Sequence, residues 1–407
     1  MFIGQLSKIR HLPLLIVTLC ACPTTRTATE ASRQQSTSPS RAPHFDLRTA
    51  VPRVLVDLTR SDSAKRAFIV GALRLPNGRI AAADAQSQRL VYYDSGGNAV
   101  TTIDLAALGQ LQHLMRVSAD TVAVTGFHTA SVFTGNGQLL RRFDAANVLG
   151  DLPKRIRLIL GILGGGRTFV GVLGQQQYRP PAGQSRWIDS MTIAVVGPDM
   201  RIARVLGPWP QYVLALSDSQ PRQVWFAPGA VVASVDSTVY YGFGDEYVIR
   251  AVSAAGETTR VITRSWQRIP VTDADKLAFI DGWATRWITS TGAAAEAQKR
   301  EMRSDPFFEY VPAFSQFLAS PSGELWVRTP HLVDAQLDGE LYRTPLVPSD
   351  WTVFDHMGRW RASVTLPARF LPTDAGLDYL LGIEYGIGRS RKLVVYELPK
   401  EWTRAIR

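Results

Sequence analysis

The sequence predicts an all-β fold, a six-bladed β-propeller with one helical insertion and an N-terminal strand that closes the last blade. Three observations predict it. A unit of turn, short apolar strand, loop, second strand and Gly-terminated turn recurs six times. Each unit is too small to bury the faces of its own sheet, so neighbouring units must stack around an axis. The last unit stops after one final strand at 393–398, and 53–58 (RVLVDL) has a pattern suited to pairing beside it. Closure of that kind removes an open sheet edge that would otherwise invite aggregation.

Four copies are clear, at 77–97, 119–137, 236–256 and 322–358; two weaker ones lie at 167–199 and 379–398. In the clear copies an apolar or aromatic residue precedes the turn glycine by four. These are Tyr93 before Gly97, Phe133 before Gly137, Val252 before Gly256 and Phe354 before Gly358. A turn closed by Gly reverses the chain, and the strand before it must keep its alternating faces in register.

Composition fits a large globular core: 407 residues, 45% hydrophobic and 20% charged. The formal net charge of +10 raises nucleic acid or an anionic surface as partners. The basic residues are mostly scattered arginines without a run of five like charges, which reads as a solvated surface and points away from nucleic acid as partner. The only cysteines are Cys20 and Cys22, so the body holds neither a disulfide nor a thiolate site.

Residues 1–22 carry a basic start (Lys8, Arg10) and an apolar stretch at 12–19 that is too short to cross a bilayer as a helix. The following Leu19-Cys20-Ala21-Cys22 resembles the lipobox of bacterial lipoproteins. That resemblance implies a signal peptide over 1–21, lipidation of Cys22 and an exported protein, periplasmic or at the outer membrane or cell surface. Residues 22–43, rich in Ser, Thr and Pro, read as a flexible tether, and 44–407 as the propeller.

Asp84, Arg89, Leu90, Val91, Asp94 and Gly97 match the NHL-repeat pattern, an Asp, a loop and a basic residue leading into a strand and a D-x-x-G turn. The chain thereby resembles exported six-bladed propellers related to NHL-repeat and TolB-like proteins. The match is carried by the first repeat. It implies the fold and a module that binds proteins, RNA or small molecules, a minority of such propellers being enzymes.

Three insertions interrupt the repeats. Two lie between the second and third strands of a unit, at 174–189 and 330–349, on the rim that also carries the crossovers. Tyr178, Arg179, Arg186 and Trp187 are the candidate contact residues in the first, and His331, Asp334 and Tyr342 in the second. The third, about 271–304, is helical. Thr272 and Asp275 form a capping-box pattern, and Leu277, Ile280, Trp283, Ala284 and Trp287 share one face. This insertion either packs on the propeller or covers its axis as a lid.

Metalloprotease, nucleophile-elbow and P-loop patterns are absent, and the run 161–168 (GILGGGRT) reads as a turn between strands. The candidate inner strands, 68–75, 111–117, 156–163, 231–235 and 314–319, contain no Asp or Glu. They contribute Arg74, His113, Arg116 and Arg157 instead, a set suited to an anion and not to a hard cation. The expectation is a binding module without catalytic residues, metal ligands or cofactor, whose partner is a protein or a small anionic ligand. The alternative is a propeller-type envelope hydrolase or lyase.

Overall fold

The structure, a computed structural model, describes residues 42–58, 68–149, 157–173, 180, 183–217, 220–288, 291–334, 345–386 and 391–402. Two strands precede the blades, β1 (His44–Asp46) and β2 (Arg53–Asp57). Blade 1 is β3 (Ile69–Arg74), β4 (Ile80–Asp84), β5 (Arg89–Tyr93) and β6 (Ala99–Asp104). Blade 2 is β7 (His113–Ser118), β8 (Thr121–Thr125), β9 (Thr129–Thr134) and β10 (Leu139–Asp144). Blade 3 contains β11 (Arg157–Ile162), β12 (Thr168–Leu173), β13 (Arg186–Val196), β14 (Ile202–Ser217) and β15 (Gln220–Gln223). Blade 4 is β16 (Val231–Val235), β17 (Thr238–Gly242), β18 (Val248–Ser253) and β19 (Thr258–Thr263). Two helices follow, α1 (Asp273–Trp287) and α2 (Ala293–Ser304). Blade 5 is β20 (Gln316–Ala319), β21 (Leu325–Arg328), β22 (Ser349–Phe354) and β23 (Trp360–Leu366). Blade 6 is β24 (Phe370–Ala375), β25 (Tyr379–Tyr385) and β26 (Arg391–Glu397).

The predicted closure is present. β2 pairs antiparallel with β26, making a four-stranded sheet in the order β2-β26-β25-β24. The sequence reading missed β1, which adds in parallel to β23 at the outer edge of blade 5. The N-terminal segment therefore covers the outer strands of two successive blades. Phe45 of β1 packs edge-on against Trp402 near the C-terminus, ring centroids 5.3 Å apart, and Trp402 stacks at 4.9 Å on Trp326 of β21. Phe45 and Trp402 are thus joined in one apolar cluster between blades 5 and 6.

The first strands of neighbouring blades touch one another and surround the axis: β3 meets β7, β16 meets β20, β20 meets β24, and β24 meets β3. β7 and β16 also touch directly, with β11 against both, so the ring is pinched at blades 2 to 4. Small residues allow this approach. A Cβ at Gly71 would lie 2.9 Å from the Leu114 Cβ, and one at Gly161 would lie 3.0 Å from the Ser234 Cβ. The Gly164–Gly166 segment is a one-turn connection between β11 and β12, as the sequence implied.

The repeating turn has a physical basis wider than the D-x-x-G pattern. In blade 1, Asp94 Oδ1 accepts the N–H groups of Gly96 and Asn98, both at 2.9 Å, and Gly97 takes φ +85°. Asp355 does the same for Met357 and Arg359 ahead of Gly358. Thr134 and Ser253 replace the carboxylate with a hydroxyl before Gly137 and Gly256. An oxygen-bearing side chain three residues before the glycine is the common requirement. Asp84 is equally local: it accepts from the backbone of Phe68 and Gln86 and from the Ser87 hydroxyl, holding the β4–β5 loop.

Helix α1 carries the capping box, with Thr272 and Asp275 each accepting the other's backbone N–H. Its buried face differs from the predicted one. Phe279 and Ile280 are buried with Ala284, whereas Leu277 is 48% exposed. The aromatic wall of Trp225, Phe226 and Phe307 accepts the larger Phe279 ring, which turns Leu277 outward. The Trp287 side chain lies outside the described residues.

At Gly97 a Cβ would overlap the Leu55 carbonyl oxygen of the closing strand, whereas Gly78 has open space at the same backbone conformation. Gly97→Ala should therefore lower stability by at least about 2 kcal/mol, and Gly78→Ala by about 1 kcal/mol, in chemical denaturation. Equal losses would mean that the Gly97–Leu55 approach does not matter to closure.

Candidate binding rim and axial cluster

Antiparallel order gives the propeller two unlike rims. First strands start at one rim and end at the other, and the connections sort accordingly. On the rim where first strands end, no connection within a blade exceeds five residues. The opposite rim carries all three insertions, including the 264–315 connection from β19 to β20. We call these the turn rim and the insertion rim.

The insertions build one layer. Strands β13 and β14 extend well past the other strands of blade 3 as a paired arm that β15 widens, so 186–189 is strand and not loop. Val213 and Ala215 on β14 bury one face of the arm against Val224, Phe243 and Phe308. Next to it, Phe226, Phe279, Ile280, Met302 and Val311 form a second cluster, with Trp283 and Leu332 against its side. Leu332 belongs to the blade 5 insertion, so all three insertions meet through apolar contacts. Trp283 itself is half-buried against this second cluster.

Polar contacts fasten the same layer. Arg186 forks onto Glu309 at 2.7 and 2.9 Å and lies 5.4 Å from the Phe308 ring centre. Partial burial works to raise the Glu309 carboxyl, but the Arg186 guanidinium outweighs it and leaves it below its ordinary value. Both partners are well exposed, so the pair contributes no more than about 1 kcal/mol. Arg222 bridges Glu301 and Asp305, while the Trp225 indole N–H donates to Asp305 at 3.1 Å. Arg328 and Asp334, both fully buried, pair at 2.6 Å; Asp334 also accepts the N–H groups of Leu346 and Val347. Asp334 thus anchors the returning end of its insertion and is not presented to solvent.

The predicted residues do not form one funnel. His113 and Arg157 begin their strands at the insertion rim, whereas Arg74 and Arg116 lie towards the turn-rim end. His113 and Arg116 are three residues apart on β7, about 10 Å along the strand. The Arg157 side chain, like Tyr178, Arg179, Tyr342, Cys22 and the leader, is outside the described residues. Trp187 is buried, and its indole N–H has no partner among the described residues. His331 is exposed, with Nδ1 accepting the Val333 N–H at 3.3 Å.

Arg74 and Arg116 are brought together by a residue the sequence reading overlooked, Asp374 on the sixth first strand, β24. Asp374 Oδ2 accepts from Arg116 Nη2 at 2.9 Å, from the Arg74 backbone N–H at 2.8 Å and from the Tyr379 hydroxyl at 2.9 Å. Arg116 also donates to the Arg74 and Ala119 carbonyl oxygens. Thr373 donates to the Ala72 carbonyl at 2.9 Å. These bonds link the first strands of blades 6, 1 and 2. The expected freedom of Arg116 for an external anion is thereby corrected: its charge is matched by an internal carboxylate. Burial pushes the Asp374 carboxyl above its ordinary value, against the pull of Arg116 and the other donors.

Removing one partner of a buried ion pair strands the other, at a cost of about 3–5 kcal/mol. Arg116→Gln should lose that much in urea unfolding, and Arg74→Gln no more than about 1 kcal/mol, because the Arg74 side chain makes no ion pair among the described residues. The Asp374 carboxyl holds its proton more tightly folded than unfolded, so stability is recovered as pH falls through its raised folded value. Losing Arg116 raises that value further. The Arg116→Gln defect should therefore shrink on moving from pH 8 to pH 5, and a defect independent of pH would contradict the buried-pair account.

No protein-family model and no curated protein matches the sequence. Solved structures similar to the chain include a member of the DUF4221 family from Bacteroides vulgatus, 10% identical, over 86% of this chain and 97% of that one, with a TM-score of 0.51. The calcium-binding protein regucalcin from Agrobacterium tumefaciens is 13% identical over 88% and 96%, with a TM-score of 0.41. A gluconolactonase from Xanthomonas campestris is 11% identical over 85% and 95%, with a TM-score of 0.37. At these identities the likeness concerns the fold, and six small sheets with contacting first strands make this chain an all-β propeller.

Proposed function

We propose that the protein is an exported, lipid-anchored binding module that engages its partner with the insertion rim. One observation carries this reading: every long connection of the propeller lies on that rim, and the three insertions pack into a common layer. Long connections are uncommon unless they serve a purpose, and a layer held by its own apolar clusters presents a defined surface. Leu277, Tyr310 and Ile269 are exposed on this layer, with Arg268 over the Tyr310 ring at 5.5 Å. Mixed aromatic, aliphatic and Arg surface is the composition that protein interfaces favour. Export and the lipid on Cys22 rest on the leader sequence.

The alternative, an envelope hydrolase or lyase, would need chemistry at the axis. Asp374 is the one acid on the described first strands, and its Oδ2 already takes three donors. That use favours a structural role and hence the binding reading.

A photo-crosslinking residue at Leu277 or Tyr310 should yield discrete adducts in cells, and one at Asn77 or Leu377 on the turn rim should not. Adducts from the turn rim alone would overturn the assignment. A palmitate analogue should label the wild type and leave Cys22→Ala unlabelled; equal labelling would remove the lipid anchor without touching the rim.

A further inference from the structure

The axial cluster on the turn rim offers more than ring closure. Asp374 pairs with the Arg116 guanidinium and meets Arg74 only through its backbone N–H, so the positive charge of the Arg74 guanidinium is left unmatched by that carboxylate. Arg116 spends its Nη atoms on Asp374 and on two carbonyl oxygens, while its Nε, in a side chain only 5% exposed, has no hydrogen-bond partner among the described residues. The Arg74 guanidinium lies 4.7 Å from the centre of the Tyr379 ring. Among the described residues it makes no hydrogen bond and no ion pair.

A half-buried guanidinium has five N–H donors in a fixed fork and is costly to leave without acceptors. Stacking on an aromatic face holds the fork in one plane without using its donors. Planar, bidentate acceptors match that fork, and a single negative charge balances that of Arg74. We propose that Arg74, stacked on Tyr379 and backed by the Arg116–Asp374 pair, binds the carboxylate of a small monoanion at the turn-rim mouth of the axis. The site lies on the rim opposite the insertions and does not depend on the function proposed for them.

Acetate is the probe. Thermal unfolding of the full chain is followed in sodium acetate against sodium chloride at equal ionic strength, together with saturation-transfer NMR on the acetate methyl signal. The wild type should show a saturable rise in Tm and a saturation-transfer signal. Arg74→Gln should weaken binding at least 10-fold by both readouts. Tyr379→Leu, which removes the ring under the guanidinium, should also weaken acetate binding. The NMR readout holds even if a variant changes stability. An acetate response identical in Arg74→Gln would overturn the site. So would a wild-type response that only follows ionic strength, or one given by inorganic phosphate and not by acetate.

Discussion

Everything in this molecule depends on closing the ring. A four-stranded blade cannot bury both of its faces alone, so each of the six needs a neighbour on each side, and the first and last need each other. The chain meets this at the outside with its own N-terminal segment. β2 completes blade 6, β1 covers blade 5, and Phe45 and Trp402 meet in one buried cluster. The tight fit of Gly97 against Leu55 then ties the closing strand to blade 1, so that the seam is packed on both sides.

Closure has an inner counterpart. The Asp374 clasp runs from β24 across β3 to β7, spanning the join between blade 6 and blade 1 at the axis. An ion pair of this kind gives little net stability, because desolvation offsets most of the attraction. Its effect is on geometry. Oδ2 can meet three donors from three segments only when those strands stand at one level, so the clasp discriminates against shifted arrangements of strands that are otherwise interchangeable apolar runs. It uses polar groups where the apolar pattern of Ile69–Arg74, His113–Ser118 and Phe370–Ala375 would tolerate slippage.

The sequence made the blade rhythm legible because its cause is local. A strand that ends in a Gly turn must place an apolar residue at a fixed distance from that glycine, and Tyr93, Phe133, Val252 and Phe354 do so. Closure was legible for a similar reason, since the last unit lacked a strand and 53–58 could supply it. Asp374 was hidden because β24 reads FLPTDA, and Pro372 with two polar residues looks like a loop. A first strand is a sheet edge, where a missing N–H costs no ladder bond, so proline is tolerated there. The candidate arginines were found, but their division between rims and the neutralisation of Arg116 depend on contacts 258 residues apart in sequence. The face of α1 went wrong at Leu277 because helical periodicity cannot say which of two apolar neighbours meets an aromatic wall from another insertion.

The two rims follow from the same closure constraint. On the turn rim, connections of five residues or fewer within each blade hold successive strands at fixed spacing. The insertion rim has no such duty once the first strands are packed, because a second-to-third-strand loop or a crossover can grow without changing any strand pair. Growth there exposes new apolar surface, which has to be covered. The arm of β13 and β14, the two helices and Leu332 solve this by packing on each other, through Phe226, Phe279 and Met302. The result is a layer with its own small cores resting on a scaffold whose register is fixed elsewhere. That separation lets surface residues such as Tyr310 and Leu277 vary without disturbing the ring.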